Sequence, residues 1–326
     1  MTEFPFVKGL HELSPSAYAY VQPNGSWGWS NAGLVVDGPA TMLVDTLFDL
    51  RLTQEMLDTM RRAVPAAASI DTLVNTHGDP DHTFGNQLVD DAVIIASSSA
   101  VEDMLDGETP EQLRDLVAHA PGLGVAGEFI LRAFSEFDFS NITLVTPSRT
   151  FDGEMRLSVG DVPVSLIEVG PAHTRGDTLV HLPRERIVFT GDIVFSGGHP
   201  VMWSGSVDGW ISACDRILAL DVEVVVPGHG PVTDKAGVRG LRDYLEYIAA
   251  EATDSFHAGV PAAQAARMID LSAYAGWIDP ERVLVMVAAI YRARAGVTSA
   301  PDRLELIAEM GRYEPPPRAS NQGQGS

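Results

Sequence analysis

The chain has 326 residues, 45 % of them hydrophobic, with 44 acidic against 22 basic side chains, a net charge of −22 and one Cys. That length supports one large domain or two ordinary ones. The acidity and the lack of a Lys/Arg cluster argue against a nucleic-acid partner, no run of about 18 apolar residues offers a membrane span, and a single Cys rules out an intrachain disulfide. The first residues, MTEFPFVKGLHEL, lack the basic start and apolar run of a signal peptide, so a cytoplasmic location is expected.

In chain order, AGLVVDG and TMLVDT predict two strands joined by a Gly-Pro turn. LRLTQEMLDTMRRAV carries Leu, Met and Val at helical spacing, SIDTLVNT is a short buried strand, and AVIIASS is another. This alternation points to a layered α/β architecture. From about 98 to 140 the pattern becomes helical, and TPEQ marks a helix start with Thr as cap and Pro in the first turn. This segment is a helical insertion. Strands resume in RTFDGEMRLSVGDVPVSLIEVG, which alternates like a hairpin, and in DTLVHLPRERIVFTGD with its turn at PRER. VDGWISACDRILAL predicts a helix, with Cys214 as a small buried apolar residue, and DVEVVVPGHG a strand. Helical patches follow to about 313, and EPPPRASNQGQGS predicts a disordered tail over 314–326. The expected units are a main domain over 1–255, a C-terminal helical extension over 256–313, and the tail.

The motif HGDPDH concentrates His77, Asp79, Asp81 and His82 behind an apolar strand. Asp, Gly and Pro are turn formers, so this stretch alone fits a solvated loop as well as a metal site. Three further clusters break the tie. His173 in GPAHTRGD, Asp192 in FTGDIVF and His229 in VVPGHGPV each follow an apolar run and sit beside Gly. Four imidazoles and three carboxylates are about what two divalent cations require, with positions left for water and substrate.

The order THGDPDH, AHT, TGD, PGHG resembles the metallo-β-lactamase superfamily, over roughly residues 30 to 250. The resemblance implies an αββα sandwich of two central mixed sheets with the metals at one edge. It also implies that His77 and His173 hold the first metal and Asp81, His82 and His229 the second, with Asp192 between. The usual second His of the first motif is Asp79 here. Asp79 either ligates the first metal through an oxygen or only shapes the turn. Asp45 in LVDT resembles the acid that holds a ligand His in one tautomer. Zinc is the expected metal. A third carboxylate makes the cluster less positive and shifts preference towards iron or manganese, and the flavodiiron branch of the superfamily has Glu at this position.

The loops at the ends of the early strands lie over the metals in this superfamily, so Trp27 and Trp29 in PNGSWGWSN, with Phe195, His199 and Trp203 after Asp192, are expected to shape the substrate pocket. The implied activity is hydrolysis of an ester, thioester, lactone or amide of a small, partly apolar molecule by a metal-bound hydroxide, with Asp81 and Asp192 as the catalytic carboxylates. The alternatives are an oxygen-using diiron oxidoreductase on the same fold and a non-catalytic protein with a degenerate site. The expected partner is a small molecule, not nucleic acid or a membrane, and a homo-oligomer is left open.

Overall fold

The computed structural model describes residues 5–298 and 301–314. Its first sheet begins with β1 (Gly9–Ser14), β2 (Ala17–Val21), β3 (Ala32–Asp37) and β4 (Ala40–Val44), an antiparallel meander. Helix α1 (Leu50–Ala63) then crosses to β5 (Thr72–Val74), which pairs parallel to β4. A one-turn helix α2 (Pro80–Thr83) precedes β6 (Val93–Ser97), and three helices, α3 (Ser98–Asp106), α4 (Pro110–His119) and α5 (Gly124–Phe134), lead to β7 (Arg149–Phe151). Strands β4 to β7 are parallel, and the seven strands lie in sequence order.

The second sheet contains β8 (Glu154–Val159), β9 (Val162–Glu168), β10 (Thr178–Leu182) and β11 (Ile187–Phe189), all antiparallel. Helix α6 (Val207–Ala219) returns to β12 (Val224–Val226), parallel to β11. Helices α7 (Lys235–His257), α8 (Ala262–Met268), α9 (Val283–Arg294) and α10 (Arg303–Gly311) complete the chain. No helix among the described residues is long and apolar enough to cross a membrane.

Strand periodicity explains the layers. Along β3 and β4, Leu34 and Leu43 face α1, whose Leu52, Met56, Leu57 and Met60 cover them. Their neighbours Val35, Met42 and Val44 face the other way, against Val164, Leu166 and Val180 of the second sheet. The outer face of that sheet, with Leu179, Val188 and Val225, is covered by α6, α7 and α9. Each central strand is therefore buried on both faces and reads as a continuous apolar run. Burying one such side chain contributes about 1.5–3 kcal/mol. The expected two-sheet sandwich with flanking helices is what the chain forms.

Local signals match closely at the helix starts. Thr109 and Gln112 form a reciprocal capping box at α4, with Pro110 in the first turn. Asp49 caps α1 by accepting from Leu52 N at 2.6 Å. Two readings differ. RTFDGEMRLSVG is not one hairpin arm, because β7 pairs with β6 in the first sheet, and the turn at Asp152–Gly153 carries the chain into the second. Strands β1 and β2 were not anticipated, although AYAYV alternates as a strand should. Alternation reveals a strand but not the sheet it joins. The expected tail lies, beyond Glu314, outside the described residues.

Candidate metal centre

All seven expected ligands meet at one edge of the sandwich. His77, Asp79, Asp81 and His82 follow β5 of the first sheet, whereas His173, Asp192 and His229 sit at strand ends of the second. The two halves are tied by backbone: Thr178 N donates to Thr76 O at 2.8 Å, and Asn31 N to Gly228 O at 2.7 Å. Gly191 has φ +49°, and a Cβ there would lie 2.3 Å from Thr76 Oγ1. A Cβ on Gly228 would lie 1.9 Å from Asp192 Oδ1. The glycines of TGD and PGHG are thus demanded by close approach.

The side chains form two groups about one carboxylate. His77, Asp79 and His173 converge, as do Asp81, His82 and His229. Asp79 Oδ2 lies 3.2 Å from His173 Nε2 and 3.8 Å from His77 Nε2. Asp81 Oδ2 lies 3.2 Å from His229 Nε2. Asp192 spans both groups: Oδ2 is 3.5 Å from His173 Nε2 and 3.4 Å from His229 Nε2, and Oδ1 is 3.1 Å from His82 Nε2.

A layer of hydrogen bonds behind the cluster sets the ring orientations. Asp45, at φ +61°, accepts from Thr76 N and Thr76 Oγ1, both at 2.7 Å, and lies 3.0 Å from His82 Nδ1. A carboxylate only accepts, so His82 carries its proton on Nδ1 and turns the Nε2 lone pair to the site. The Thr76 hydroxyl, having donated to Asp45, accepts from His77 Nδ1 at 3.0 Å, with the same consequence. His173 Nδ1 donates to Val201 O at 2.8 Å. His77, His82 and His173 therefore each turn Nε2 into the site.

The electrostatics fit cations there. Burial raises the cost of charge on Asp192, yet the facing His229 and His82 hold its carboxyl well below the usual range. Burial likewise opposes ionisation of Asp79, but the hydrogen bond from His173 and the nearby His77 bring it down to about 2. Conversely, burial disfavours charge on His173 and His229, and the carboxylates overcome it, raising both to about 9. His82 is raised well above its ordinary value against the same penalty, chiefly by Asp192 and Asp81. The Nε2 atoms of His77 and His82 and Oδ1 of Asp192 are buried without a protein hydrogen-bond partner. Orphaned buried polar atoms are costly, and a mixed imidazole–carboxylate set with lone pairs converging is a donor set for divalent metal.

This cluster floors a cavity of about 470 Å³. Trp27, Phe195 and Trp203, expected at the pocket, line it; Trp29 and His199 do not. Trp29, in the β2–β3 loop, packs against Phe137, ring centroids 5.0 Å apart. His199 is buried, its Nδ1 3.0 Å from the Tyr244 hydroxyl, and burial followed by the charge of Arg282 lowers it to about 4. A Gly-rich loop does not reveal which of its side chains turn inward. Phe195 stacks flat on His229 at 5.1 Å. Cys214 is fully buried on α6, and burial pushes its thiol up to about 12. Arg175, Arg282 and Arg303 also line the cavity. Arg175 pairs with the distant Asp103 and Arg303 lies over the distant Trp203, so no local pattern marks them in the sequence, whereas Arg282 pairs with nearby Asp279 and lies over the distant Trp27.

The profile of the metallo-beta-lactamase superfamily matches residues 25–229. The chain belongs to the metallo-β-lactamase superfamily. Among curated proteins of that likeness, the 2,4-dinitroanisole O-demethylase subunit alpha of Nocardioides sp. is 27 % identical over 198 residues, 59 % of this chain and 50 % of that protein. The acyl-coenzyme A thioesterase MBLAC2 of Bos taurus is 30 % identical over 215 residues, 61 % of this chain and 72 % of that protein. The match to this metallo-β-lactamase superfamily chain thus spans about half the length of the demethylase subunit. Among solved structures, the inverting sec-alkylsulfatase Pisa1 from Pseudomonas sp. superposes with a TM-score of 0.66 at 16 % identity, covering 90 % of this chain and 52 % of that one. The metallo-beta-lactamase from Pontibacter korlensis gives 0.55 at 19 % identity, covering 73 % and 98 %. These superpositions establish the shared fold.

Proposed function

We propose that the protein is a metal-dependent hydrolase acting on an ester, thioester, lactone or amide of a small, partly apolar molecule. The observation that carries this reading is the convergence of two three-residue groups on Asp192 at the floor of an apolar-walled cavity. His77, Asp79 and His173 would hold one cation and Asp81, His82 and His229 a second, with Asp192 shared. Zinc is the metal we favour. When bound, such cations polarise a carbonyl and acidify water. The chain's own residues do the rest. Asp45 and Thr76 fix the imidazole tautomers, so the ligand set is assembled before substrate arrives. Asp81 and Asp192 line the cavity and give carboxylate oxygens that orient a nucleophilic water. Phe195 and Trp27 wall the site with apolar surface, excluding bulk water and strengthening every charge interaction inside.

The relatives support this class. One is named a thioesterase, and a type 2 metallo-beta-lactamase of Bacillus is 24 % identical over 228 residues. A second reading, an oxygen-using diiron enzyme, draws on the Asp79 oxygen placed between His77 and His173, a hard ligand suited to iron or manganese. The test is metal analysis of protein purified without added metal, followed by assays on a panel of esters, thioesters, lactones and amides before and after chelation. Zinc with chelator-sensitive hydrolysis is expected. Hydrolysis that survives complete metal removal would sink the reading, and two irons with a visible absorption band would replace it by the second.

A further inference from the structure

One wall of the cavity comes from outside the family-matched segment. Helix α10 follows residue 229 by more than seventy positions, yet Arg303, Leu304, Ile307 and Met310 all line the cavity. Leu304, Ile307 and Met310 recur every third residue and so share one face of the helix. Leu113 and Leu116 of α4 line the cavity too, as do Phe129 and Phe134 of α5, the helix on which α10 packs. The cavity follows the seam between two cores: Phe129, Phe195 and Met310 belong to one, Phe48, Phe84 and Leu113 to the other. The ligand cluster with Asp79, Asp81 and Asp192 closes one end.

Two of the cations along this cavity, Arg175 and Arg303, are already committed to carboxylates. Arg175 is held by Asp103 at 2.5 Å and Asp106 at 2.7 Å. Arg303 pairs with Glu108 of the α3–α4 connection and lies 5.2 Å over the Trp203 ring, which pins the start of α10 beside the mouth. Leu304 is 43 % exposed and Ile307 half-buried, an apolar pair left partly uncovered where it faces the cavity. A ligand carrying several polar groups would lose their hydration against this wall without replacement. A hydrocarbon needs no such partners and gains by covering the wall.

We propose that α10 is a substrate-binding element of this site, and that the ligand it serves is a straight-chain acyl or alkyl compound. Its polar reacting group sits at the His/Asp cluster and its chain lies along the apolar wall that α10 builds with α4 and α5. The proposal rests on the hydrolase reading only for what happens at the polar end, since binding does not require turnover.

The test measures binding. Straight-chain carboxylates from butanoate to dodecanoate are titrated calorimetrically into the full chain loaded with zinc. Affinity should rise about fourfold per added methylene until the cavity is filled. Ile307→Trp, which fills the space, should bring the plateau to shorter chains. Leu304→Gln, a milder change at a partly exposed position, should weaken only the longer ligands, and circular dichroism checks that both variants fold. If Ile307→Trp does not fold, Leu304→Gln decides. Affinity independent of chain length in the wild type overturns the proposal. An unchanged chain-length profile in the folded variants leaves α10 a packing helix and overturns it equally. If no member of the ester panel is hydrolysed while these binding results hold, the hydrolase reading falls and the binding element stands. If hydrolysis holds and the chain-length response is flat, the reverse follows.

Discussion

Asp45→Asn changes one atom behind the candidate metal centre and should weaken its metal affinity measurably. Asp45 is 2 % exposed and sits at φ +61°, a left-handed conformation that Asn also tolerates, so the backbone should not object. Its two oxygens face three donors: Thr76 N, Thr76 Oγ1 and His82 Nδ1. An amide offers only one accepting end. If its NH₂ faces Thr76 N, a buried N–H loses its acceptor. If it faces His82, the imidazole must move its proton from Nδ1 to Nε2, the atom aimed into the candidate metal site. A hydrogen bond to a charged group contributes about 1.5–3 kcal/mol, and about 1.4 kcal/mol is a decade in affinity. Zinc affinity should therefore fall about 10- to 100-fold, the range found for groups that orient metal-binding histidines. The assay is competition between metal-stripped protein and a chromophoric chelator, with thermal melts of the stripped protein alongside. A folded Asp45→Asn variant with wild-type zinc affinity and stoichiometry would show that Asp45 is only a turn residue and refute the tautomer argument.

Asp79→His should raise zinc affinity about tenfold or more relative to manganese, since it exchanges a hard oxygen for an imidazole beside His77 and His173; an unchanged zinc-to-manganese preference in a folded, metal-binding variant retires Asp79 as a ligand. His173 and His229 in metal-stripped protein have values raised from 6.5 to about 9, so their protons stabilise the fold fully below pH 6.5 and that contribution is lost as pH rises through 9. The melting temperature of stripped protein should fall across this window while metal affinity climbs, because metal displaces the same protons; melts and chelator competition at pH 6, 7.5 and 9 check both, and a flat profile in each contradicts the electrostatic account. Trp27→Ala should raise the Michaelis constant severalfold, as Trp27 lines the cavity, whereas Trp29→Ala should lower the melting temperature with little kinetic change, as it packs on Phe137; the opposite pattern would mean the cavity is not where substrate binds.

The residues that converge at the candidate metal centre were legible in the sequence because each sits in a short, chemically unusual phrase. HGDPDH, AHT, TGD and PGHG combine donor side chains with the glycines that close approach requires, and at Gly191 and Gly228 a Cβ would strike Thr76 and Asp192. The capping box at Thr109 and the helix in LRLTQEMLDTMRRA were legible for a similar reason, since both arise from contacts a few residues apart. Tertiary structure decided everything that depends on distant partners. That β7 joins the first sheet while β8 opens the second is settled by which apolar faces meet, not by their period. Val201 orients His173 by a contact invisible in any motif, a backbone carbonyl that any segment could have supplied. The cavity shows the same limit. Trp27 and Trp29 are alike in sequence, yet only Trp27 turns into the cavity. Arg303, Leu304 and Ile307 reach it from a helix whose composition marks no site, because side-chain direction is set by the packing of α10 on α5, a contact between segments more than one hundred and sixty residues apart.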